Sequence, residues 1–348
     1  MLGAVATQTM DAVPSAADLS SRAVNSYRGL LWAGLLSYPF VPALLSASAG
    51  LATSGQAWGV AGVLLSYGWS ISAPVAAWFA LGAADRVKLN RREHPQVARE
   101  AVFAAIAAPW FVLSGVILGW VQLRGYQSAF WYFALAGLAA AQWLAPPKND
   151  LARHQVWQQA HRISAVLLVL FGVAHVGNHL SAVESLQTHV TVQNALREVY
   201  RQPAIEALVV AAALAQVCSG WVIVSRVRLQ RANGLRNLQM LAGSFLGMFF
   251  LSHLTGVFSG RLQHIDTTFA WATGGPGGLL SNSRSPSFLP YYSLAVLAFG
   301  VHAAVAARGT LAGALGQARA LKVCHAMLAL SGVVTLALLL PLCGVRLQ

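Results

Sequence analysis

Charge is what this chain lacks most. Only 9% of its 348 residues are Asp, Glu, Lys or Arg and 57% are hydrophobic, whereas a soluble domain carries about 25% charged residues. A soluble globular protein is excluded, and an integral membrane protein whose first partner is the lipid bilayer is expected. Carboxylates are scarcest, ten against 23 Lys and Arg. Those nearest an apolar run, Glu100 and Glu206, fall at its ends, whereas a proton-coupled carrier often buries an acid at mid-membrane. Cysteine is scarce as well. Cys218, Cys324 and Cys343 stand singly in apolar segments, with no CxxC pair, iron–sulfur run or metal-ligand spacing, and are expected to pack the core. No flavin or dinucleotide fingerprint, HExxH pair or Ser/His/Asp set is present, so a self-contained dehydrogenase or hydrolase finds no support.

The excess of basic residues gives a formal charge of +13, yet no basic stretch is interleaved with aromatics and no nucleic-acid partner is expected. Residues 1–28 lack an early basic region followed by a hydrophobic block. They are expected to form a polar N-terminal tail, not a cleaved signal.

A crossing helix needs about 20 apolar residues. Nine such runs occur, at roughly 29–48, 57–82, 100–121, 128–146, 161–181, 204–225, 239–259, 289–307 and 320–341. The expected fold class is all-α, a polytopic transmembrane helix bundle of about nine spans. Pro39, Pro42, Pro74 and Pro109 lie inside spans and predict kinks. The N-terminus and the loops at 83–99, 147–162, 226–238 and 308–322 hold 17 of the 23 Lys and Arg. The positive-inside rule then places the N-terminus in the cytoplasm and the C-terminus outside, as in a bacterial inner membrane. The longest exterior loop contains "GGPGG" (residues 274–278), with no strand before it and no Lys-Ser/Thr after it. It is expected to be a flexible external lid or connection, not a phosphate cradle.

Histidine divides the chain. Of ten histidines only His94 precedes residue 150, which separates a histidine-poor four-helix domain at 29–146 from a five-helix domain at 161–341. Imidazole inside a bilayer needs a partner. His175 lies fourteen residues along the fifth span and His253 fourteen along the seventh, both running outward, so each stands about 21 Å from the inner end. Two imidazoles from different helices at one height are what a haem with two axial histidines requires. Gly172, Gly177, Gly243, Gly247 and Gly256 are expected to make room for a bulky ring. His179, one turn beyond His175, is expected at the outer surface, contacting a haem propionate or water. Nearer the cytoplasm, His302, His325 and His161 form a second layer that would serve a second haem, a quinone headgroup or packing alone.

The fifth to ninth spans resemble the five-helix cytochrome b membrane anchors of succinate:quinone oxidoreductases and fumarate reductases. The likeness covers about residues 161–341 and rests on "HRISAVLLVLFGVAHVGN", "LQMLAGSFLGMFFLSH" and "YYSLAVLAFGVH". It implies that His175 and His253 hold haem b and that His302 is an inner ligand, a possible metal contact for a second haem. The second-helix ligand does not survive: "ALAQVCSGW" carries Gln216 there. The first four spans fall outside the pattern. "YFALAGLAAAQWL" faintly echoes "YSLAVLAFGVHAA", a likeness apolar sequences also reach by chance.

The expected function is a membrane cytochrome b-like electron-transfer subunit with haem b between His175 and His253, exchanging electrons with quinone. Soluble flavoprotein and iron–sulfur subunits would dock on the cytoplasmic face. Gln216, His325, His161 and His179 complete the candidate cofactor contacts. The alternative is a multi-span transporter or membrane scaffold without haem.

Overall fold

The computed structural model describes residues 16–87, 93–141, 151–226, 234–282 and 285–347. Among these the secondary structure is helical, with no strand. In order the α-helices are α1 (Ala16–Ser37), α2 (Val41–Thr53), α3 (Ala57–Arg86), α4 (Glu93–Trp120), α5 (Gln127–Ala140) and α6 (Leu151–Ser181). They continue with α7 (Leu186–Tyr200), α8 (Pro203–Arg226), α9 (Gly234–Leu262), α10 (Phe269–Ala272), α11 (Phe288–Leu315) and α12 (Gln317–Leu342).

Eight helical segments among the described residues are long and apolar enough to cross a membrane: α1 with α2, then α3, α4, α6, α8, α9, α11 and α12. The protein is an integral membrane protein. The expected crossing at 128–146 corresponds to α5. This helix runs back along α4: the Gln127 amide donates to the Phe111 carbonyl, and the Gln96 amide donates to Leu138. Its 14 residues fall short of the roughly 20 a crossing needs, and residues 142–150 lie outside the described set. At the other end, α1 begins within the expected polar tail. Val24 is buried, and Arg28 makes a two-pronged ion pair with buried Glu100 on α4, at 2.6 and 2.7 Å.

The prolines act unequally. Pro39 sits in a single 3₁₀ turn, Tyr38–Phe40, that separates α1 from α2, because proline removes one rung of the hydrogen-bond ladder. The helix stays assigned through Pro74 in α3 and Pro109 in α4.

The largest buried cluster draws from both halves of the chain: Leu31, Leu35, Ala77, Ala104 and Trp131 pack with Leu241, Phe245, Ala298 and Val301. Trp131 donates from its indole to the Leu35 carbonyl. The Asn237 amide on α9 reaches the Asp85 carboxylate on α3 at 2.9 Å. The histidine-poor helices therefore cover one side of α9.

One end of the bundle is closed. Helix α7, capped by the Ser185 hydroxyl accepting from Thr188 N–H, turns its His189 and Gln193 inward. Residues 263–282, expected as a flexible lid, pack down beside it. Phe269 and Leu279 join a buried cluster with Ala182, Leu289, Leu338 and Leu342, and Leu347 N–H donates to the Val183 carbonyl. Glycine is what permits this contact. Gly278 adopts φ +82°, and a methyl there would strike the backbone of Leu342, Cys343 and Gly344.

Candidate functional site

Helix α6 carries His161, His175 and His179 along one length, because an α-helix returns to the same face every three to four residues. Packing of α6 against its neighbours sorts these rings into two layers.

The layer nearer α7 joins four imidazoles. His175 on α6 and His253 on α9, matched in the sequence by depth, stand with ring centres 6.2 Å apart and planes at 68°. Phe249 stacks on the His253 ring at 5.2 Å, and Phe171 stacks on His175 at 5.4 Å. The His253 ring makes no hydrogen bond to a described residue. His175 is engaged: its Nε2 lies 3.1 Å from His179 Nε2, and His179 Nδ1 in turn lies 3.3 Å from His189 Nε2. His179, expected at the surface, is instead the middle member of a three-ring chain. His189 ends that chain on α7, itself fully buried, with its Nδ1 lacking a partner among the described residues. Phe269 lies against both His179 and His189. The His189 imidazole is pushed down to about 4, first by burial and then by the nearby Arg197 charge. It is therefore neutral at physiological pH. Arg197 is itself tied to Asp266 at 2.9 Å.

In the second layer the His161 and His302 rings are 6.1 Å apart. Here the nitrogens are committed. His161 Nδ1 pairs with the Ser219 hydroxyl at 3.0 Å, and its Nε2 pairs with the Gln216 amide at 3.0 Å. Gln216 is fixed by the Ser164 hydroxyl, 2.6 Å from its Oε1. His302 Nδ1 sits 3.0 Å from the Gln239 carbonyl. A carbonyl only accepts, so Nδ1 carries the proton and a neutral ring is left with a bare lone pair on Nε2. His325 lies on an exposed face of α12 and joins neither layer.

The glycines divide in the same way. A methyl on Gly172 would meet the Phe299 ring at 2.7 Å, one on Gly243 the His302 ring at 2.6 Å, and one on Gly247 the Trp221 indole at 2.9 Å. Those three admit the protein's own rings. Gly177 and Gly256 have open space where a side chain would be.

Among the described residues no three His, Cys, Asp or Glu converge to hold a bare metal ion. The α7-side pair nevertheless offers the donor types that haem takes: two imidazoles on separate helices, each with a phenylalanine ring stacked on it. Two imidazoles on opposite sides of one metal, each nitrogen about 2 Å from it, have centres about 6 Å apart. The second layer fits less well, because both His161 nitrogens are already bonded.

Sequence reasoning did not place His189. It falls between the fifth and sixth expected spans, where counting depth along a span does not reach, although "LQTHVTVQNALREVY" puts His189 and Gln193 one turn apart on one helical face. No protein-family model, curated protein or solved structure matches the chain.

Proposed function

We propose that this is a membrane cytochrome b-like electron-transfer protein in which His175 and His253 would hold one haem b. The observation that carries the reading is their 6.2 Å separation across two helices, with the His253 ring making no hydrogen bond to a described residue. Bound haem supplies a one-electron carrier tuned by its ligands and surroundings. Phe171 and Phe249, stacked on His175 and His253, orient the two imidazoles. Quinone is the proposed exchange partner, with the bare Nε2 of His302 accepting a hydrogen bond from a quinol hydroxyl. Gln216 holds His161 in place and is not a ligand, which supports one haem over two.

The orientation proposed is N-terminus in and C-terminus out across a bacterial inner membrane, which takes the 128–146 run as a ninth crossing beside the eight long helical segments. The basic face would then receive soluble flavoprotein and iron–sulfur subunits, since the chain has no fingerprint for flavin or dinucleotide. A second reading, a transporter or scaffold without haem, is favoured by one observation: the His175 nitrogen is bonded to His179.

A reduced-minus-oxidised absorption spectrum of the purified protein, with haem quantified per chain, separates the two. One haem with a b-type spectrum that His253→Ala abolishes supports the proposal. A colourless protein, or an unaltered spectrum in His253→Ala, overturns it.

A further inference from the structure

We infer that, resting on the quinone partner proposed above, the His161–His302 layer recognises one redox form of it: the hydroxyl-bearing quinol, in preference to the carbonyl-bearing quinone. The positions of the ring protons decide this.

Ser219 on α8 has one hydroxyl proton, and its oxygen stands 2.6 Å from the Ala215 carbonyl, which only accepts. The hydroxyl therefore donates there and accepts from His161 Nδ1 at 3.0 Å. A neutral imidazole with its proton on Nδ1 has its lone pair on Nε2. The Gln216 amide must then turn an N–H toward that atom, 3.0 Å away. Its Oε1 faces the Ser164 hydroxyl, which donates to it at 2.6 Å. Ser164, Gln216, His161 and Ser219 thus each present the polarity that the next one needs, and the His161 lone pair is consumed.

His302 is polarised in the same sense but left open. Its Nδ1 donates to the Gln239 carbonyl at 3.0 Å, so the lone pair lies on Nε2, where no described residue donates to it. Turning the ring over would cost it the Gln239 bond. A lone charge inside a bilayer is costly, which keeps the ring neutral. The ring is part-exposed, and Nε2 is not one of the sealed atoms of the interior. At His302 a visitor therefore meets an acceptor and no donor. A hydroxyl fits there, whereas a carbonyl oxygen sets lone pair against lone pair. His302 falls at the middle of the 28-residue α11, a helix long enough to cross. A ligand at that depth enters from the lipid phase and must be apolar apart from its hydroxyl.

The test uses full-length protein in lipid nanodiscs at neutral pH, with haem content measured first. Two probes that exchange no electrons with haem stand in for the two forms: 1-naphthol carries a hydroxyl, and 1-tetralone carries a carbonyl at the same place. By calorimetry naphthol should bind about tenfold or more tighter than tetralone, the worth of one hydrogen bond. In His302→Gln, whose amide both donates and accepts, the preference should fall to about twofold or less. In unsubstituted protein with 15N-labelled histidine, His302 Nε2 should give the signal of an unprotonated nitrogen, and naphthol should move it. Equal binding of the two probes, or a proton on Nε2, overturns the inference and leaves the quinone partner standing. Failure of both probes to bind overturns the quinone reading of this layer as well. A colourless protein that still prefers naphthol supports the site and overturns only the cytochrome reading.

Discussion

His175 and His253 stand 6.2 Å apart, centre to centre, yet among the described residues only His175 has a hydrogen-bonded partner. That asymmetry makes His175 the shared member of two arrangements, one facing His253 and one facing His179. An imidazole nitrogen serves one partner at a time, so a haem held by His175 Nε2, as proposed, would displace the His179 contact.

Gln216→Ala should leave haem at one per chain. It should also lower stability by about 1–2 kcal/mol, because the Ser164 hydroxyl and His161 Nε2 lose their common partner inside the bundle. Haem quantitation beside thermal unfolding in detergent checks both. A variant that loses its haem would show Gln216 to be part of the haem site.

Gly243→Ala should disturb the His302 layer alone. The added methyl sits 2.6 Å from the His302 ring, so the imidazole must leave its place beside the Gln239 carbonyl. Overpacking of this kind costs about 1–3 kcal/mol. The expected result is weaker quinone binding with an unaltered b-type spectrum.

His189 makes stability pH-dependent. Its folded-state value of about 4 lies below the roughly 6.5 of a free histidine. Between those limits the unfolded chain binds more protons than the folded one. The contribution is therefore whole above about 6.5 and is lost as pH falls toward 4. Melting temperatures at about pH 5 and pH 7.5 should differ less in His189→Gln than in the native protein.

Gly278→Ala should loosen the closed end. At φ +82° an L side chain is strained, and its methyl would strike the backbone of residues 342–344. The expected outcome is faster protease cleavage within residues 263–282 and faster exchange of the His189 ring proton, with the spanning helices intact by circular dichroism.

The spans were legible because a crossing needs length and low charge, which any apolar run declares. His175 and His253 were legible for a related reason: the helix rise is constant, so residue counts convert to depth. Other features depend on partners a linear reading does not supply. Gly172, Gly243 and Gly247 showed that side chains were missing but not that Phe299, His302 and Trp221 fill the spaces. His161 comes within 6.1 Å of His302 through packing between helices, which periodicity does not specify. The 263–282 segment looked mobile by composition. Its glycines instead allow the close backbone approach that seats Leu279 and Phe269.

Arg28 and Glu100 are 72 positions apart in sequence but share two hydrogen bonds. In a chain inserted from its N-terminus, the guanidinium arrives with α1 long before its carboxylate arrives with α4. A carboxylate buried on α4 without that guanidinium would be costly. The pair can therefore close only once the α4 segment has been made, tying the first crossing-length helical segment to the third.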